Sequence, residues 1–116
     1  MKKPLTSDGL IWVGVDFDDV IASNSGYPDY ILSGPMAGAK SALEAISAKG
    51  FKIIIYTARP WSQHIVIEDW LNTWMIPFKR IECGKILLRW MIDDRNIPFD
   101  PKNPIESWKA VLDSVV

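Results

Sequence analysis

The chain has 116 residues, 48% hydrophobic and 23% charged, with thirteen basic against fourteen acidic side chains and a net charge of −1. That length suits one domain with one core, and the balance of charge excludes a strongly basic nucleic-acid groove or a polybasic membrane patch. The single cysteine, Cys83, excludes an internal disulfide; with no apolar run fit for a leader or a membrane span, it points to a cytoplasmic protein without membrane contact.

Residues 10–15 (LIWVGV) form a continuous apolar run, the form expected of a strand covered on both faces. They lead directly into Asp16, Asp18 and Asp19. Residues 20–34 are rich in Ser, Gly, Pro and Asn and read as an irregular loop. A helix is expected to open at Pro35, carry Met36, Ala39, Leu43 and Ile46 on its apolar face, and stop at Gly50. FKIIIYT at 51–57 predicts a second buried strand.

The spacing over 61–75 predicts a helix with Val66, Trp70 and Trp74 as a core stripe, Ile67 and Leu71 beside it, and Pro77 ending it. His64 falls on the face of Ile67 and Leu71 and reads as a partly buried structural histidine. A weak third strand covers 79–82, a stronger one 87–92 (LLRWMI), which runs into Asp93 and Asp94, and a short one 97–99 (IPF). The last helix spans 104–115, with Ile105, Trp108 and Leu112 along one face.

Strands alternating with helices predict an α/β domain with a mainly parallel sheet and helices on both faces. Sites in such sheets lie at the carboxyl ends of the strands. The three strongest strands end at Asp16, Thr57 and Asp93, so these groups are expected on one sheet edge. Asp16 and Asp18, two apart on an extended segment, can face one way while Phe17 enters the core. Together with Asp93 and Asp94 they form a set of hard oxygen donors suited to Mg²⁺, which would also relieve their mutual repulsion. A carboxylate can act as nucleophile toward phosphorus, and a second acid two residues on can move the proton. Thr57 can offer its hydroxyl and backbone N–H to a phosphate oxygen, and Lys85 can supply the cation. Arg59 reads either as a substrate contact or as a surface residue at a helix start.

These motifs resemble, in order, those of the haloacid dehalogenase superfamily. WVGVDFDDV is similar to its first motif, IIIYTAR to its second, Lys85 stands for its third, and WMIDDR is similar to its fourth; the likeness runs from about residue 10 to residue 99. The resemblance implies a three-layer Rossmann-like fold and a Mg²⁺-dependent phosphatase acting through an aspartyl-phosphate. It implies Asp16 as nucleophile and metal ligand, and Asp18 as acid/base that meets the metal through its backbone carbonyl. Thr57 and Lys85 would bind the phosphoryl group, joined by Arg59 on its separate reading as a substrate contact, and Asp93 and Asp94 would hold Mg²⁺.

The fifteen residues of 20–34 and the 27 between Thr57 and Lys85 leave no room for a large cap domain. Asp19 departs from the glycine usual in phosphatase members. The expected partner is a phosphorylated small molecule or nucleotide, with nucleic acid entering only as a substrate end. The alternative is a catalytically silent domain of this fold that binds a phosphorylated ligand or partner.

Overall fold

In the computed structural model, the described residues are 11–24, 32–86, 88, 92–93 and 95–115. Three strands, β1 (Trp12–Asp16), β2 (Lys52–Tyr56) and β3 (Arg80–Glu82), form a parallel sheet in the order β1-β2-β3. Val15 pairs with Ile55, and Ile55 in turn with Ile81. Helix α1 (Ala39–Ala48) connects β1 to β2, and α2 (His64–Thr73), entered through a 3₁₀ turn at Trp61–Gln63, connects β2 to β3. Helix α3 (Pro104–Ser114) lies against α1, and Lys49 Nζ donates to the Val115 carbonyl at 3.0 Å.

Side chains alternate across a sheet, so Val15, Ile53, Ile55 and Ile81 share one face, and all four are buried. Right-handed crossovers advancing steadily from β1 to β3 place α1 and α2 on the same face. Leu43, Ile46, Ile67 and Leu71 accordingly belong to one core with those strand residues. The opposite face is more open: Gly14 is exposed, Tyr56 is 45% exposed, and Trp12 has Lys52 Nζ 5.2 Å and Arg80 Cζ 5.5 Å from its ring centroid. Helices on both faces are therefore not found among the described residues.

Other expectations shift for local reasons. The first helix begins at Ala39 rather than Pro35. Residues 34–36 pair instead with 21–23, through Ser23 N–H to the Gly34 carbonyl (2.9 Å) and Met36 N–H to the Ile21 carbonyl (2.7 Å). Gly38 then turns the chain at φ 84°, and a Cβ there would stand 3.5 Å from Trp108 Cδ1.

On α2 the core face is Ile67, Trp70 and Leu71, while Val66 and Trp74 of the expected stripe are 47% and 43% exposed. A spacing of exactly four drifts around a helix of 3.6 residues per turn. Ile105 of α3 is likewise exposed, with Trp108 buried. Residues 97–99 form no strand; Phe99 instead meets Trp108 edge-on at 5.1 Å. The strand expected at 87–92 falls largely outside the described residues. No helix among the described residues is long and apolar enough to cross a membrane.

Candidate active site

The carboxyl ends of β1 and β2 and the turn after β3 meet at one edge of the sheet. Asp16 is the last residue of β1, paired with Tyr56 of β2. Its Oδ1 accepts the Phe17 N–H at 2.9 Å, and its Oδ2 stands 3.7 Å from Lys85 Nζ. Burial pushes the Asp16 carboxyl above its ordinary range; the Lys85 ammonium and the Phe17 N–H pull it down, and neighbouring Asp18 pushes it further up. Asp16 thus sits among opposing influences, with a cation on one side and a like charge on the other.

Lys85 reaches this position because of the turn before it. Gly84, at φ 78°, donates its N–H to the Arg59 carbonyl at 2.9 Å, and Lys85 donates its own N–H to the Thr57 carbonyl at 2.9 Å. The turn therefore zips onto residues 57–59. The Lys85 ammonium lies 5.8 Å from the Tyr56 ring centroid as it approaches Asp16.

After β1 the chain curls tightly. Ile21 and Ala22 both donate to the Phe17 carbonyl at 3.0 Å, and Asp19 donates to the Ala22 carbonyl at 2.7 Å. Phe17 is fully buried, with its ring edge-on to Trp70 at 5.3 Å. The curl puts Asp19 at φ 59°, in the left-handed region that Asp tolerates better than most residues. Its Oδ1 accepts the Asn24 N–H at 3.1 Å.

Among the described residues, Asp18 and Arg59 form a heavily bonded pair at this edge. Arg59 Nε donates to both Asp18 oxygens (3.2 and 3.0 Å), and Nη2 donates to Oδ1 at 2.8 Å. Asn24 Nδ2 adds a fourth bond, to Asp18 Oδ1 at 2.7 Å. Arg59 is 9% exposed, which excludes the reading as a surface residue at a helix start. Its guanidinium engages Asp18 and Gln63 Oε1, the latter at 2.7 Å.

Thr57 follows β2 and is fully buried. Its backbone N–H, expected at a phosphate, donates to the Glu82 carbonyl at 3.0 Å, prolonging the ladder with β3. Its hydroxyl oxygen accepts the Arg59 N–H at 3.1 Å.

Asp93 stands apart from this set. It is exposed and accepts the Arg95 N–H at 2.9 Å, bracing its own turn. Asp94 lies outside the described residues. Among the described residues, no three His, Cys, Asp or Glu side chains are grouped to hold a metal ion. His64 is half-exposed, stacked on Trp61 at 5.7 Å and 3.8 Å from Glu68. Cys83 is buried, and burial pushes its thiol up.

Two members of the edge escape the sequence. Asn24 sits in a Ser/Asn/Gly-rich run whose composition indicates only a loop, and Gln63 reads as a polar residue at a helix start. Their roles come from contacts with Asp18 and Arg59, which no spacing rule supplies.

No protein-family model matches the chain, and no curated protein matches it. In fold it is similar to the crystal structure of an MCSG target from Vibrio cholerae, with a TM-score of 0.68 and 22% identity over 90% of this chain and 94% of that one. At that identity the likeness bears on the fold alone.

Proposed function

We propose that this protein is a Mg²⁺-dependent phosphatase of the haloacid dehalogenase type, hydrolysing a phosphomonoester through an aspartyl-phosphate at Asp16. The observation that carries this reading is the convergence of Asp16, Lys85, Asp18 and Thr57 at one sheet edge in the motif order of that family. The short return from Ala22 to Pro35, which pair directly, supports a capless member.

In the forward step an Asp16 oxygen attacks phosphorus. The bond from phosphorus to the leaving oxygen breaks, and protonated Asp18 gives that oxygen its proton, leaving a free alcohol and an aspartyl-phosphate. Asp18, now a carboxylate, takes a proton from water, whose oxygen attacks phosphorus; inorganic phosphate departs and the Asp16 carboxylate is restored. Lys85, already 3.7 Å from Asp16, offsets the negative charge that gathers as phosphate meets carboxylate.

The donor chemistry at Asp16 suits a hard cation, which would bind its carboxylate oxygen and relieve the repulsion from neighbouring Asp18. Asp16 would hold Mg²⁺ through its carboxylate and Asp18 through its backbone carbonyl, because the Asp18 side chain is engaged with Arg59 and Asn24. Asp93, which is not grouped with Asp16 and Asp18, would have to approach them to join as a ligand, and Asp94 is the other candidate. When bound, the ion supplies charge neutralisation and orientation of the phosphoryl oxygens. The substrate class is a small phosphorylated metabolite, a nucleotide or a nucleic-acid end.

The test is turnover of a phosphoester panel, including p-nitrophenyl phosphate, with Mg²⁺, with EDTA, and in Asp16→Asn. The expected result is Mg²⁺-dependent release of phosphate that falls by at least about 10³-fold in the variant. Turnover that survives in Asp16→Asn overturns the mechanism. Phosphate-ester binding without any turnover would favour the silent binding domain.

A further inference from the structure

Resting on the phosphatase reading, we infer that Arg59 and Asn24 are positioning residues for Asp18: they set the direction of its carboxylate, rather than holding the phosphoryl group. The orientation of the guanidinium is fixed from several sides. Its own backbone is tied at both ends, N–H to Thr57 Oγ1 (3.1 Å) and carbonyl to the Gly84 N–H (2.9 Å). Nη1 is held by Gln63 Oε1 at 2.7 Å, and Cζ lies 5.9 Å from the Phe17 ring centroid. Nε and Nη2 are left aimed at Asp18, gripping both of its oxygens at 2.8–3.2 Å. Only a planar fork makes that grip; a lysine would bring the charge without the geometry.

Asn24 completes the setting from the other side. It is 7% exposed, and its amide has one consistent orientation. Oδ1 must face the Ser33 N–H, a donor, at 3.0 Å, so Nδ2 faces Asp18 Oδ1 at 2.7 Å. Asp18 is therefore held between a residue following β2 and a residue of the loop following β1. An acid that delivers a proton to a leaving oxygen needs such a fixed line of approach.

The two roles differ in what they do to different substrates. A residue that grips phosphate matters equally whatever alcohol leaves. A residue that aims the general acid matters to the first step, which kcat/KM reports, only where the leaving group needs a proton. The experiment compares kcat/KM for p-nitrophenyl phosphate, whose phenolate departs unprotonated, with that for a simple alkyl phosphate, in the wild type, Arg59→Lys and Asn24→Ala. In Arg59→Lys the alkyl ester is expected to lose about 10²–10⁴-fold and the aryl ester less than about 10-fold. The aryl ester should also show a stoichiometric burst of p-nitrophenolate, because phosphorylated Asp16 accumulates when Asp18 no longer activates water. Asn24→Ala should show the same pattern at smaller amplitude. It decides the matter should circular dichroism find Arg59→Lys unfolded.

Equal losses on both esters without a burst would overturn the inference and return Arg59 to the phosphate, while leaving the phosphatase reading intact. A wild type without Mg²⁺-dependent turnover would instead remove the reading itself, and the inference with it.

Discussion

Asp16 carries two opposed demands. As the proposed nucleophile it would have to be ionised, yet burial and Asp18 resist that more strongly than Lys85 and the Phe17 N–H assist it. Its folded value lies above the ordinary 3.8, so its contribution to stability is complete below that value and declines as pH rises through the raised one. Asp16→Asn removes that decline. The difference in Tm between variant and wild type should therefore grow in favour of the variant from pH 3.5 to pH 7. Because the side chain is 45% exposed, solvent screens much of the effect, and a gain of about 1–3 °C is expected. A difference flat across that range, measured by thermal melts, would contradict the account. A residue placed for the proposed chemistry would here cost stability. Asp19 is the milder case: the curl after β1 requires φ 59°, where glycine is easiest, and the Asn24 N–H on its carboxylate helps hold an aspartate there.

At the scale of elements, the end of α2 shows a departure from the usual choice of residue. Ile76 N–H donates to the Leu71 carbonyl (2.9 Å) and Met75 N–H to the Asn72 carbonyl (3.1 Å), with Ile76 and Leu71 both buried. This is the double-bonded left-handed stop that normally calls for glycine, yet Met75 occupies it at φ 56° and is 74% exposed. Met75→Gly relieves the strain and forfeits little burial, so urea unfolding should show a gain of about 1 kcal/mol. A loss there would mean that Met75 packs more usefully than its exposure indicates. The start of α1 is different, because Gly38 already provides the positive φ that its turn requires.

For the molecule as a whole, what was legible in the sequence depended on how local its cause is. The β-branched run of β2 and the acid ending β1 lie in strands within a residue or two of expectation, because a buried parallel strand needs little beyond its own composition. The faces of α2 and α3 were less legible. Val66, Trp74 and Ile105 are apolar by type but exposed by position, which depends on where the sheet ends and on how α3 meets α1. The destination of Arg59 was not legible at all, because 41 positions separate it from Asp18. Ligand linkage tests the assembled edge. At about 100-fold over its dissociation constant, Mg²⁺ should add about 2.7 kcal/mol, a rise in Tm on the order of 10 °C, and this rise should vanish in Asp16→Asn. An equal rise in both proteins would place the ion elsewhere.

The Trp70 indole joins three parts of this edge: its ring meets Phe17, its N–H donates to the Ser33 carbonyl at 2.7 Å, and its backbone belongs to α2. Ser33 in turn holds the Asn24 amide that faces Asp18. The protein thus contains its own spectroscopic observer. A ¹⁵N-labelled indole at this position lies one hydrogen-bond chain from Asp18, so a ligand that reorients Asp18 can be followed by its resonance without attaching a probe.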